Sequence, residues 1–342
     1  MEFTVQWHLT DRCNLRCQHC YQAGEVRPEM ALPEVLQGLQ EFAETINLWR
    51  DSYELDFFPS FSLTGGEPFL RGDLFSILHE IRRSGYELHI LTNGTILDAP
   101  IVERLSSIGV NGLQVSFEGP EAVHDRIRGK GSFSRALRGV ELLAQAGLPV
   151  TVNATISRLN RNKIAVLIQD LADRGFKGRF GFSRLVPCGS GRNLLQEMLT
   201  AEEVRQLYQD LLGTDVPGLE IVTGDPLAAD IAAGEEGDTP VGGCAAGFSG
   251  ITVMPDGLLT PCRRLNIPIG NIRTDSFREI WALSPVLNRL RDKSLYNGRC
   301  GACARWAGCR GCRAIAYAFS GLQGQPDYLA DDPQCYHFSV HN

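Results

Sequence analysis

The chain has 342 residues, 43% of them apolar and 21% charged, a balance that suits one large folded domain with a smaller appendage. A net charge of −7 with no Lys/Arg run argues against a broad nucleic-acid surface. The opening MEFTVQWHLTDRC lacks the apolar region of a signal peptide, and no stretch nears the ~20 apolar residues of a membrane helix, so a cytoplasmic protein without membrane partners is expected.

From residue 3 to about 185, short β-type runs alternate with helical stretches. Strands are expected at Phe3–Leu9, Ser60–Thr64, Glu87–Thr92, Gly112–Phe117, Val150–Ile156 and Arg179–Leu185, each followed by Gly, Asn or Pro punctuation. Helical patterns fall at Leu32–Trp49, Leu74–Arg83, Ile101–Ile108, Phe133–Ala146 and Lys163–Arg174. Six βα units in series imply an α/β fold with a parallel sheet, either open and doubly wound or curled into a partial barrel. Both architectures put function at the C-terminal ends of the strands. The first cysteine group, then GGEP, TNG and SFEG, would therefore share one rim.

A helix near Ala201–Leu212 and a Gly/Ala/Asp/Glu-rich stretch around Thr223–Gly243 form a connecting region. Residues 244–342 carry many cysteines and few periodic segments, with a hairpin expected at ITVMPDGLLT, turned by Asp256–Gly257. Such a segment is expected to lean on bound metal for its stability. The division expected is 1–200 for the core, 201–243 for the connection and 244–342 for the cysteine-rich domain.

Eleven cysteines, an odd number without an export signal, point to metal binding rather than disulfides. Cys13, Cys17 and Cys20 read C-x3-C-x2-C. Three thiolates on one loop can ligate three irons of a cubane and leave the fourth open, the feature that separates catalytic from closed metal sites. Zinc on these cysteines plus His19 is the alternative, but His19 sits directly beside Cys20, a poor spacing for two ligands of one ion.

This group after a first strand, with Gly65-Gly66-Glu67-Pro68 after the second, resembles the radical S-adenosylmethionine (SAM) superfamily over nearly the whole chain. The resemblance implies a partial (β/α)6 TIM-like barrel holding a [4Fe–4S] cluster whose unique iron chelates SAM. Cleavage of SAM would give a 5′-deoxyadenosyl radical that abstracts hydrogen. It further implies SAM contacts from Gly65, Gly66, Glu67 and Pro68 at the methionyl amino group and from Ser116, Arg128, Asn153 and Tyr21. Turn glycines, strand-end caps and surface ion pairs are the alternative readings of these positions.

Cys244 and Cys262 are followed by Cys300, Cys303, Cys309, Cys312 and Cys335. Seven exceed one tetrahedral site and fall one short of two. Their order resembles the SPASM domain of auxiliary iron–sulfur clusters. That resemblance implies one [4Fe–4S] cluster on Cys300, Cys303, Cys309 and Cys335, and a second on Cys244, Cys262 and Cys312 with an iron to spare. The family pattern spaces the last two cysteines of the tight group by three residues, whereas Arg310-Gly311 gives two. Cys188, just past the sixth strand, reads by default as an idle buried thiol. As a catalytic thiol or inner-cluster ligand it would account for the missing eighth cysteine.

The resemblance implies a maturase that installs a crosslink on a ribosomally made peptide, fed by an electron donor such as a flavodoxin or ferredoxin. The first strand begins near residue 3, so leader recognition would fall to a separate protein or another surface. Three alternatives stand beside it. Cys309-Arg-Gly-Cys312 and the Asp332-Pro333-Gln334-Cys335 ending resemble haem-pathway enzymes acting on propionate side chains, which implies a cofactor maturase. The others are a sulfatase-type protein maturase and a non-catalytic electron carrier.

Overall fold

The computed structural model describes residues 2–22, 26–54, 57–228 and 242–337. Strands β1 (Glu2–His8), β2 (Phe58–Thr64), β3 (Glu87–Thr92), β4 (Gly112–Ser116), β5 (Val150–Ile156) and β6 (Gly178–Arg184) lie side by side in that order, all parallel. Between them run helices α1 (Leu32–Tyr53), α2 (Leu74–Arg83), α3 (Ala99–Ile108), α4 (Glu121–Arg128), α5 (Ser132–Gln145) and α6 (Ile164–Asp173). In α2, buried Leu74, Ile77, Leu78 and Ile81 repeat at the spacing that puts one stripe against a sheet. Phe3, Val5 and Trp7 alternate inward on β1 in the same way.

The sheet is an incomplete barrel. β6 pairs outward with β7 (Leu219–Val222), and the free side of β1 is taken by β8 (Gly250–Val253), parallel to it with Thr4 opposite Gly250. β9 (Leu258–Thr260) runs antiparallel to β8 and β10 (Gly270–Asn271) antiparallel to β9, giving ten strands. The expected hairpin is present. Met254, Pro255, Asp256 and Gly257 form a turn closed by Gly257 N–H to the Met254 carbonyl at 2.9 Å, and Gly257 has φ +85°, a left-handed value that glycine takes without strain.

Helix α7 (Ala201–Leu212) is capped reciprocally by Thr200 and Glu203. Of the acidic stretch expected after it, residues 229–241 lie outside the described residues. The cysteine-rich segment holds more regular structure than its sequence suggested: α8 (Phe277–Leu283), α9 (Pro285–Arg291), α10 (Gly298–Ala302) and α11 (Arg313–Leu322). It also shares the barrel's apolar core, so metal is not its only source of order. Phe277 is buried with its ring 4.5 Å from Phe42, and Trp281 lies 5.0 Å from Phe3. The four-residue spacing of Phe277 and Trp281 puts both on one face of a short helix. No helix among the described residues is long and apolar enough to cross a membrane.

Candidate functional site

The loop after β1 is clamped by the loop after β2. Gly66 N–H donates to the Thr10 carbonyl at 2.7 Å, and Glu67 N–H donates to the Arg12 carbonyl at 2.8 Å. A Cβ on Gly65 or Gly66 would collide with those same carbonyls, so the glycine pair is required by close backbone approach. Further along, Gln18 N–H bonds the Ile127 carbonyl, and the Cys20 carbonyl accepts from Ser190 N–H at 2.8 Å. Three other chain segments thus fix one short loop.

That loop lines a cavity of about 1280 Å³. Cys13, Cys17 and Cys20 all face it. So do Gly65, Gly66 and Tyr21, and from the strand ends Ser116 and Asn153, which are register partners on β4 and β5. Arg128 and Cys188 also stand on its walls. The volume exceeds the roughly 300–1,000 Å³ of a pocket for one small molecule. It has room for a cosubstrate and a second ligand.

Two expected cavity residues are placed elsewhere. Glu67 is fully buried, and its carboxylate accepts from Thr92 Oγ1 at 2.8 Å, Asn93 N–H at 2.9 Å and Phe69 N–H at 3.3 Å. Those donors turn it into the protein, behind the rim. Burial pushes its pKa up to about 7, against the pull of these hydrogen bonds. Pro68 starts the short 3-10 turn behind it and is likewise buried. Neither side chain lines the cavity.

Glu118, which the sequence reading passed over, organises this rim. It is fully buried; Oε1 lies 2.6 Å from Arg128 Nη2 and 3.1 Å from His19 Nε2, while Oε2 accepts from Thr155 N–H. Burial alone would raise its pKa, but His19 and Arg128 hold it down at about 2. The available signal was an acid within SFEG at the end of a strand. His19 is committed through Nε2 to Glu118 rather than to the thiols. Among the described residues no three His, Cys, Asp or Glu side chains converge as a single-ion site requires.

The thiols suit a cluster. Cys13 Sγ accepts from Leu15 N–H at 3.4 Å and faces Asn93 Nδ2 at 3.9 Å; Cys17 Sγ lies 3.8 Å from Arg128 Nη1. Burial pushes all three thiol pKa values up, so three adjacent free thiolates are unfavourable there. Ligation to iron offsets that penalty, and the N–H donors match those that surround cluster sulfurs.

In the cysteine-rich segment, Cys300, Cys303, Cys309 and Cys335 line one small pocket. Burial lifts Cys309 to about 12 and Cys335 to about 11. Cys312 instead packs with Cys262 and Cys188 on a separate apolar cluster that includes Leu265 and Ile315. The two-residue spacer accounts for the split. Arg310 and Gly311 are both left-handed, at φ +63° and +61°. Arg310 keeps that costly conformation by bonding the Cys244 carbonyl at 3.1 Å together with those of Gly242 and Ala307. Cys244 N–H donates to the Cys309 carbonyl at 3.0 Å, joining the two groups. All eleven cysteines are unpaired thiols; Cys188, on the cavity wall, is pushed up to about 11 by burial.

Two family models match this chain: the radical SAM superfamily over residues 7–171 and the SPASM iron–sulfur cluster-binding domain over 244–312. The AdoMet-dependent heme synthase of Methanosarcina barkeri is 33% identical over 97% of this chain and 95% of its own length. The mycofactocin maturase MftC of Mycobacterium ulcerans is 28% identical over 97% of this chain and 87% of its own. Among solved structures, Streptococcus suis SuiB bound to precursor peptide SuiA superposes with a TM-score of 0.75 at 17% identity, covering 99% of this chain and 76% of that one.

Proposed function

Because the chain belongs to the radical SAM superfamily and carries a SPASM iron–sulfur cluster-binding domain, we propose that it acts on a tetrapyrrole or related cofactor precursor bearing propionate-type side chains. Membership makes it a radical SAM enzyme with a SAM-bound [4Fe–4S] cluster and auxiliary iron–sulfur clusters. The observation that carries the substrate reading is the end-to-end likeness to an AdoMet-dependent heme synthase. It favours a small-molecule substrate over the peptide expected first.

When bound, the reduced cluster and SAM supply a 5′-deoxyadenosyl radical able to take hydrogen from an unactivated carbon. In this reading Cys13, Cys17 and Cys20 would hold the cluster, and SAM would bind beside it. The Gly65–Gly66 backbone and the side chains of Ser116, Asn153 and Tyr21 border the volume left for SAM. Arg128, tied to Glu118, places a fixed positive charge beside Cys17. Glu67 works from behind: it anchors Asn93 N–H, and the Asn93 amide reaches Cys13 Sγ and Asn14. Placement of this kind is the protein's contribution, since an error of ~1 Å costs on the order of 10²-fold in rate.

Cys300, Cys303, Cys309 and Cys335 would hold the outer auxiliary cluster, and Cys244, Cys262 and Cys312 the inner one. Residues 1–200, 201–243 and 244–342 remain our division into core, connection and auxiliary domain. The electron for SAM cleavage comes from a separate donor of the flavodoxin or ferredoxin class.

The test is anaerobic turnover with SAM, a reductant and an iron porphyrin carrying propionates. The porphyrin should change mass in step with 5′-deoxyadenosine. An unchanged porphyrin beside a modified precursor peptide would overturn this reading. That peptide substrate, with a separate leader-binding protein, is the second reading, favoured by the 28% identity to a mycofactocin maturase over 97% of the chain.

A further inference from the structure

The cavity concentrates a charge that the chain as a whole does not carry. Among the described residues, eight arginines line it with only two carboxylates, Asp11 and Asp256, in a protein of net charge −7. Four of the arginines have carboxylate partners. Arg12 pairs with Glu29, Arg27 with both aspartates, Arg128 with Glu118, and Arg184 with Asp225 and Asp332. Arg16 donates to the Cys13 and Leu15 carbonyls. Arg192, Arg263 and Arg264 line the cavity with no carboxylate partner among the described residues.

Arg263 and Arg264 form the tip of a tight turn. Leu265 N–H donates to the Cys262 carbonyl at 2.9 Å, closing the turn around the two arginines, and Leu265 is wholly buried beneath them. The Arg263 guanidinium stands 5.5 Å from the Tyr21 ring centre and makes no hydrogen bond among the described residues. Arg264 reaches only the Ser183 hydroxyl, at 3.4 Å. Both side chains are half-buried on the cavity wall, two adjacent cations that meet no carboxylate among the described residues and so suit an anionic ligand.

We infer that Arg263 and Arg264, with Arg192 lining the same cavity, form a carboxylate-binding subsite that holds acidic side chains of the substrate at the auxiliary-domain wall. The subsite rests on the proposed acid-bearing substrate and assigns the residues that select it. Guanidinium forks match carboxylates two bonds at a time. The turn presents both side chains from one short stretch of backbone. A compact polyacid can meet several arginines of this cavity at once, whereas a neutral peptide segment offers them nothing to neutralise.

The test measures binding to the cluster-loaded enzyme with SAM present, using a porphyrin tetracarboxylate and its tetramethyl ester. Wild type should prefer the acid on the order of ten- to a hundredfold, and added salt should narrow the gap. Arg263→Gln and Arg264→Gln should each erode the preference, and Arg263→Lys should keep part of it. Iron content and circular dichroism check that each variant folds. Equal binding of acid and ester by wild type overturns the subsite without relying on any variant. A preference that survives both glutamine variants also overturns it, above all if the inner cluster's reduction potential moves instead, since the arginines would then serve only the cluster. If neither porphyrin binds but an acidic peptide does, and loses affinity in the glutamine variants, the subsite stands and the tetrapyrrole reading fails.

Discussion

Arg184 and Asp332, 148 positions apart in the chain, meet as a buried ion pair with contacts of 2.8 and 3.0 Å. Arg184 ends the sixth barrel strand, and Asp332 also accepts from Cys312 N–H at 2.8 Å. Asp225 takes the other edge of the guanidinium. One arginine therefore fixes the auxiliary segment to the barrel and sets the backbone of a proposed inner-cluster ligand. Asp332→Ala should destabilise the anaerobic holoprotein by about 3–5 kcal/mol in denaturant unfolding, because it leaves a buried charge half compensated. The same variant should lose auxiliary iron before it loses SAM-loop iron. A loss below about 1 kcal/mol would mean that the pair is not a structural tie.

Gly66→Ala should act on the first cluster alone. The added methyl meets the Arg12 carbonyl, so the cysteine loop has to move. Total iron should fall from about twelve toward about eight per chain, with auxiliary signals unchanged in electron paramagnetic resonance.

His8 gives the protein an acid-sensitive limb. Burial, then Arg263 and Arg27, lower its pKa from 6.5 to about 3. The unfolded chain therefore binds a proton below pH 6.5 that the folded one refuses, and stability falls with falling pH across the window from 6.5 to 3. Between pH 8 and pH 5 the wild type should lose about 2 kcal/mol relative to His8→Gln, from 1.36 kcal/mol per pH unit. Denaturant midpoints of the two proteins at both pH values read this out; parallel curves would contradict it.

Phe277→Ala should cost about 3–5 kcal/mol, as expected for emptying a packed aromatic site. Its ring joins Phe42, Trp49 and Trp281 across the seam between the barrel and the cysteine-rich segment. Comparing thermal unfolding with and without iron would separate this apolar contribution from that of the clusters.

The six parallel strands were legible because each is a compact β-branched or aromatic run bounded by turn residues, and α2 and α7 match their expected ranges residue for residue. Helix α4 was missed because Glu121–Arg128 is short and polar, with only His124 and Ile127 buried. β7 has four residues and too little pattern to register. At the site, the three-cysteine loop and its glycine clamp were visible as spacing. The inward direction of Glu67 was not legible, because a motif names residues but not the direction of a side chain, and three nearby donors draw this one inward. The Glu118–His19–Arg128 cluster joins the loop after β1 to the loop after β4 and the last residue of α4, a relation that no local window contains. The arginine-lined cavity was hidden for the same reason, its charges scattered between Arg12 and Arg264.

The central claim is that the thiolates of Cys13, Cys17 and Cys20 leave one iron open to SAM. It is tested most directly by electron–nuclear double resonance of the reduced enzyme with SAM labelled at its amino nitrogen. Wild type should show nitrogen hyperfine coupling to the cluster. The triple variant Cys13→Ala/Cys17→Ala/Cys20→Ala should lose both that coupling and 5′-deoxyadenosine formation while its auxiliary signals persist. Absence of coupling in the wild type, or SAM cleavage that survives the triple variant, would contradict the account.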